Sequence, residues 1–308
     1  LIERILREKK YNITVIDNNT SIGGIHYVNP KVCFIKGDIT DKNIYKKINK
    51  TKFEYVYHLA AQSAGETSYD DPPYDILTNS YGTYLVSEFC VKNNVKKLLF
   101  LGSSCIYPKA SQIPIREESI LSGKLEPTNK SYAIAKIAGI EMCQSYKKQY
   151  GFNAISIMPT NLYGPKDNFS LENSHVLPAL LRKFHDAKLN NHTNVTLWGD
   201  GSPYREFLHV DDVATATLLC MENYDDSEII NIGVGEDIQI RELSSMVSEI
   251  VGYGGNILWD ESKPNGTPRK LLDNSKILNL GWKPEITLEE GINETYSWFV
   301  NNLENIKN

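Results

Sequence analysis

Tyr132 and Lys136 stand four positions apart, a spacing that places both side chains on one face of a helix. A lysine ammonium near a phenol favours the phenolate and lowers a pKa that starts at about 10, so the tyrosine can exchange a proton with a carbonyl or hydroxyl near neutral pH. The same spacing also describes a surface tyrosine beside a solvated lysine. Upstream, the apolar run Lys97–Ser103 (KLLFLGS) ends in Ser103 and Ser104, where a hydroxyl can complete the hydrogen bonding to the same oxygen.

These residues need elements to hold them. The segment Ser131–Tyr150 has helical spacing in Ile134, Ile137, Ala138 and Met142, with Thr128 or Asn129 as a cap and Gly151 as a stop. Asn12–Asp17, Val32–Gly37, Tyr55–Ala61 and Ala154–Met158 read as buried strands, with a helical stretch over Ile76–Asn93. Near-continuous apolar strands alternating with helices predict an α/β fold: a doubly wound, Rossmann-like parallel sheet covered on both faces. Beyond Pro159 the chain becomes richer in Pro, Gly and Asn, which predicts a smaller, irregular C-terminal substrate region. The run Ile229–Gly233 is expected to return to the main sheet. The expected division is residues 1–162 and about 208–233 for the dinucleotide-binding part, and 163–207 and about 234–308 for the substrate part.

In a dinucleotide-binding fold a glycine-rich turn follows the first strand and meets the pyrophosphate, while an acid ending the second strand holds the ribose. Asp17 fits the second role, and its carboxylate would repel the 2′-phosphate of NADP(H) and favour NAD(H); a turn-forming aspartate is the alternative. Asp38 can meet the adenine or serve as an N-cap or turn residue. The glycine turn would precede the helix Leu1–Lys10, and Gly23 and Gly24 do not replace it, so the first strand and glycine loop are expected to lie upstream of Leu1. On that reading the 308-residue chain alone is expected to bind nicotinamide cofactor poorly.

A strand-end serine combined with YxxxK resembles the extended short-chain dehydrogenase/reductase family. Within it, Leu101–Pro108 (LGSSCIYP), Glu126–Lys136 (EPTNKSYAIAK), Pro159–Pro165 (PTNLYGP), Ser174–Pro178 (SHVLP), Arg205–Asp212 (REFLHVDD) and Asp260–Asp273 (DESKPNGTPRKLLD) are similar, in order and spacing, to the GDP-L-fucose synthases. Those are GDP-4-keto-6-deoxy-D-mannose epimerase/reductases. The resemblance implies a GDP-sugar substrate and NADP(H), with Ser103, Cys105, Tyr132, Lys136 and His175 as catalytic residues. A thiol and an imidazole suit the two proton transfers that epimerisation beside a ketone requires. It also places Leu101, Gly102, Ser103, Ser104, Lys136, Pro159, Thr160, Asn161, Leu162 and His175 along the cofactor, and Lys183, Trp198, Arg205 and Lys270 around the GDP-sugar. Arg269 and Asp273 are weaker candidates. Gln62–Glu66 departs from the fucose-synthase pattern and is closer to other sugar-nucleotide epimerases and dehydratases; Asn265 stands where those enzymes have Asp.

Composition excludes several other classes. A net charge of −5 offers no general attraction to nucleic acid, and no apolar run approaches the roughly 20 residues that span a bilayer. Five cysteines without CxxC spacing argue against a disulfide framework or a zinc site and fit a cytoplasmic protein. Cys33, Cys90, Cys143 and Cys220 read as core. The family resemblance implies a homodimer pairing through Ile76–Asn93 and Ser131–Tyr150. Two further readings stand beside the epimerase/reductase: a redox-neutral NAD-dependent epimerase/dehydratase, and a non-catalytic, incomplete scaffold.

Overall fold

The computed structural model describes residues 1–8, 11–19, 29–63, 68, 70–171 and 174–306. Gly23, Gly24 and residues 64–66 therefore lie outside the described residues. The apolar runs form the expected strands: β1 (Thr14–Asp17), β2 (Cys33–Lys36), β3 (Tyr55–His58), β4 (Lys97–Leu101) and β5 (Asn153–Pro159). Further strands follow: β6 (Asn161–Tyr163), β7 (Asn194–Trp198), β8 (Tyr204–Arg205), β9 (Phe207–His209) and β10 (Ile230–Ile232). Strands β3, β4, β5 and β10 form a parallel sheet in the order β10-β5-β4-β3. The late strand β10 thus rejoins the sheet beside β5. Strands β1 and β2 form a separate parallel pair.

Alternation along the strands explains why they read as unbroken apolar runs. Leu98, Phe100, Ala154 and Met158 pack on one face with Phe89, Ile137 and Ile140. Leu99, Ile155 and Ile157 pack on the other with Val213, Ile277 and Trp282. Each face is covered by helices, so both sets of alternate positions are mostly apolar. A third core lies C-terminal, where Phe184, Val247 and Phe299 join helices Val176–Leu189, Ile240–Val251 and Leu288–Asn301. There β7 pairs in parallel with β12 (Asn256–Asp260, after the short β11, Ile238–Gln239), and β8 lies between β11 and β13 (Arg269–Lys270).

Three local readings need correction. The helix expected over 76–93 begins earlier, at Pro72, where the Asp71 carboxylate caps the Tyr74 amide. It passes through a π-helical turn, Leu77–Tyr81, before continuing as α-helix over Gly82–Lys92. Cys33 is exposed, at the opening position of the short parallel pair β1–β2; Cys90, Cys143 and Cys220 are buried as expected. The catalytic-helix candidate runs Lys130–Tyr150 and ends at Gly151 with φ +65°, the left-handed stop that glycine adopts without strain. Asn129 holds the cap position but makes no side-chain cap bond.

The approach of that helix to the sheet is set by Gly139. A Cβ there would run into the ring of Phe100 on β4, so only a residue without a side chain allows the observed spacing.

Candidate active site

At the C-terminal end of β4 the Gly102 amide donates to Ile157 O (2.8 Å), extending the ladder by one bond. The chain then leaves the sheet at Ser103 and makes one 3₁₀ turn, Ser104–Ile106, capped by the Ser103 hydroxyl, which accepts from the Cys105 amide at 3.2 Å. This turn sets Ser103 and Cys105 side by side. Helix Lys130–Tyr150 crosses above and delivers Tyr132 and Lys136. The Lys136 side chain is buried; its Nζ donates to Leu101 O at 2.8 Å and lies 4.9 Å from the Phe100 ring centroid and 5.7 Å from that of Tyr132. Burial lowers the Lys136 pKa to about 8.

Burial is also the leading influence on Tyr132 and raises its pKa, with Cys105 and Asp75 pushing the same way and a hydrogen bond with Ser103 opposing them. The sequence reading expected the neighbouring ammonium to lower it. The reversal has a simple origin: removing a phenolate from water costs more than these neighbours return, so the protonated phenol is the favoured form. Such a phenol is a proton donor.

Two cations approach the thiol from the C-terminal region. Strands β8 and β13 pair in parallel with Arg205 opposite Lys270. Lys270 Nζ donates to Cys105 Sγ at 3.7 Å, and the Arg205 guanidinium interacts with Cys105 and Glu126 while burial lowers its own pKa. Ser103, Cys105, Tyr132, Lys136, Arg205 and Lys270 therefore form one connected group, drawn from segments up to 167 positions apart, from Ser103 to Lys270.

The remaining candidates are placed differently. His175 occupies the N-cap position of helix Val176–Leu189 without capping it; its side chain is open to solvent, yet enough protein surrounds the ring for burial to lower its pKa. No hydrogen bond or ion pair among the described residues joins it to Tyr132 or Cys105. Lys183, on the same helix, is partly buried, its pKa is lowered by desolvation, and it has no described partner. Trp198 is 66% exposed at the end of β7, with Lys263 Nζ 5.4 Å from its ring. Arg269 is bound to Asp237 at 2.6 Å, and Asp273 accepts from Ser275, which leaves both engaged within the protein.

Asp17 ends β1 as expected, but its carboxylate accepts the Asn19 amide at 2.7 Å, with Asn19 at φ +56°. That is the turn-forming alternative. Asp38 accepts from Thr40 and Asn18; burial alone would raise its pKa, but these bonds outweigh it and hold the carboxyl low. The Thr160 hydroxyl and the Asn161 amide group both donate to Glu206 O, so this segment offers a ligand its backbone rather than those side chains.

Glu206 itself escaped the sequence reading. It is fully buried and its carboxylate accepts from the amides of Gly235 (2.7 Å) and Leu272 (3.0 Å), tying β8–β9 to the segments after β10 and β13. Its position inside the REFLHVDD run, between Arg205 and an apolar strand, was the available signal. Glu126, buried against Lys109 (3.0 Å) and Thr267 (3.2 Å), is a second missed carboxylate near Arg205. Among the described residues no cluster of His, Cys, Asp and Glu could hold a metal ion, and no helix is long and apolar enough to cross a membrane.

The chain is 52% identical over 252 residues to GDP-L-fucose synthase 1 of Arabidopsis thaliana, covering 82% of this chain and 78% of that one. Among solved structures, a GDP-L-fucose synthetase from Naegleria fowleri bound to NADP has a TM-score of 0.80 at 30% identity, covering 90% of this chain and 88% of that one. A UDP-glucose 4-epimerase from Thermotoga maritima, with UDP-glucose, reaches 0.87 at 28% identity, covering 98% and 94%. The model of the NAD dependent epimerase/dehydratase family matches residues 1–233, and with the parallel sheet and the Ser103–Tyr132–Lys136 group it establishes that the chain belongs to that family.

Proposed function

We propose that this protein converts GDP-4-keto-6-deoxy-D-mannose to GDP-L-fucose, acting as an epimerase/reductase with NADPH. The observation that carries the reading is the thiol of Cys105, held beside the Tyr132 phenol and touched by Lys270. A reductase that only moves a hydride needs the phenol; a proton-transfer group next to it provides for epimerisation. The Arabidopsis and Naegleria relatives, whose names describe this activity, support it.

At the nicotinamide end the residues fit a dinucleotide. Lys136 is a buried ammonium at the C-terminal edge of the strands and spends one of its three protons, on Leu101 O, which leaves donors for ribose hydroxyls. Leu101–Ser104, Lys136, Pro159–Leu162 and His175 would hold the cofactor, whose chemistry is hydride donation. Tyr132, protonated and hydrogen-bonded by Ser103, gives a proton to the ketone oxygen. Before that, Cys105 takes a proton from a carbon flanking the ketone, and His175 returns one from the opposite face. Arg205, Lys183 and Lys270 meet the diphosphate, and Trp198 covers part of the nucleotide. Strands β1–β5 and β10 serve the cofactor; the C-terminal segments, with β7, β8 and β11–β13, serve the sugar nucleotide.

The protein acts as a homodimer in this reading. Ile76, Leu77, Tyr84 and Ile134 stay exposed on the two helical segments that would pair. Five free cysteines suit a reducing cytoplasm. A redox-neutral epimerase is the second reading, favoured by the likeness to the Thermotoga enzyme. One product assay tests both. With the 4-keto sugar and NADPH, steady loss of reduced nicotinamide absorbance together with GDP-L-fucose formation is expected; product formed without loss of absorbance would establish the rival. Cys105→Ser should lose epimerisation far more than simple carbonyl reduction, and equal, slight effects on both would overturn the assignment of the thiol.

A further inference from the structure

A buried carboxylate outside the sequence motifs of the site lies next to the catalytic tyrosine. Asp75, on the short helix Pro72–Ile76, is fully buried. Its two oxygens are divided: Oδ1 accepts from Gln62 Nε2 at 2.8 Å, and Oδ2 accepts from the Ser131 hydroxyl at 2.9 Å. Ser131 immediately precedes Tyr132 in the first turn of helix Lys130–Tyr150. The contacts continue on the far side of Gln62, whose backbone amide donates to Asn79 Oδ1 (3.1 Å) and whose carbonyl accepts from Asn79 Nδ2 (2.9 Å). Asn79 sits in the π-helical turn, and its carbonyl accepts from Thr83. One buried polar chain thus joins the loop after β3, the π-turn and the first turn of the catalytic helix.

Helix Lys130–Tyr150 has particular need of such a tie. Its N-cap residue Asn129 makes no capping bond, so the turn that carries Tyr132 is not fixed by its own cap. Ser131–Asp75 is a bond from that turn to another element and fixes where the phenol stands relative to Ser103.

We infer that Asp75 is a positioning residue for Tyr132, acting through Ser131 and braced by Gln62. This rests on the reading of Tyr132 as the proton donor. Charge adds to geometry. The groups facing the phenol are Cys105 and Ser103 from the turn after β4, Lys136 one helical turn along, and Asp75 from the helix opposite; of these Asp75 is the carboxylate and opposes loss of the phenolic proton. Reduction of a ketone needs that proton in place.

The test uses Asp75→Asn, Ser131→Ala and Tyr132→Phe in the full chain, assayed with NADPH and the 4-keto sugar across pH. Asparagine can still accept from Gln62 and can donate to Ser131, whose hydroxyl then turns to Ser68 O, 3.3 Å away. The network therefore survives without its charge. Removing a negative charge beside the Lys136–Tyr132 pair eases loss of the pair's proton, so the alkaline limb of kcat/KM should move to lower pH by roughly half a unit or more in Asp75→Asn. Ser131→Ala keeps the charge and cuts the tie; kcat should fall about tenfold with KM for the sugar nucleotide held, a loss of orientation rather than of binding. Folded variants with wild-type kcat and an unmoved alkaline limb, whatever their melting temperatures, would overturn the inference. Should Asp75→Asn fail to fold, an unchanged kcat in Ser131→Ala does so alone. An active Tyr132→Phe would instead remove the functional reading beneath it.

Discussion

The hydride-side and nucleotide-side halves of the candidate site are built on opposite principles. Ser103, Tyr132 and Lys136 sit at the end of a buried parallel strand and on a 21-residue helix, and Lys136 is held by a backbone carbonyl. Across the site, Arg205 and Lys270 sit on strands of two residues each, Lys183 has no described partner, and Trp198 is mostly exposed. On one side the protein has already fixed the geometry of its charged group on a backbone carbonyl. On the other it keeps cations with few internal partners, as suits residues whose partner is an anionic ligand.

If this contrast is functional, substitutions on the two sides should fail differently. The largest effect is expected for Tyr132→Phe, which should lower kcat by about a thousandfold or more with little change in KM, measured by loss of reduced nicotinamide absorbance. Comparable KM and kcat changes there would blur the distinction between the halves. Next, Arg205→Ala should raise KM for the GDP-sugar by about ten- to a hundredfold through loss of a charge-assisted bond to the diphosphate, leaving kcat within a few-fold. A collapse of kcat instead would move Arg205 to the chemical side.

A third effect is read from pH. Burial lowers Lys136 to about 8, so its ammonium is lost as pH rises through that value, and activity should decline on the alkaline side with an apparent pKa of about 8 belonging to the Lys136–Tyr132 pair. The sign for stability is opposite. The unfolded chain binds more protons than the folded one between about 8 and the lysine reference of about 10.4, so this group's destabilising contribution is relieved, not increased, as pH rises through that window. Arginine keeps its charge, so Lys136→Arg should retain little activity but lose the limb near 8; a limb of wild-type position would assign it elsewhere. The smallest effect is expected for Trp198→Ala, a rise in KM of about tenfold or less, because an exposed ring gives up little area.

Much of this was legible in the sequence, for physical reasons that differ by region. The sheet could be read because both of its faces are buried, so that Leu98–Phe100 and Ala154–Met158 are apolar at every position of either parity, apart from Ser156. Tyr132 and Lys136 could be read because helical spacing alone determines that they share a face. The π-turn at Leu77–Tyr81 left no periodic signature, since one turn of altered pitch is too short to disturb a pattern of apolar residues. Asp75 was not legible, and Glu206 only as an acid inside the REFLHVDD run, because a buried carboxylate is defined by partners far along the chain: Ser131 for the first, Gly235 and Leu272 for the second. Asp17 shows the reverse problem, a residue in the expected place whose carboxylate is turned onto its own neighbour.

Gly139 carries a consequence for how this enzyme can change over generations. It lies seven residues, about 10 Å of helix, from Tyr132 on the same side, and acts as a spacer of zero thickness between the helix that carries Tyr132 and Phe100. Adding a methyl group there would lift the helix from the strand and carry the phenol away from Ser103, with no residue at the reacting centre altered. Enlarging position 139 while trimming Phe100 is therefore a two-step route by which the spacing of the candidate site could drift, and neither step is expected to be tolerated alone.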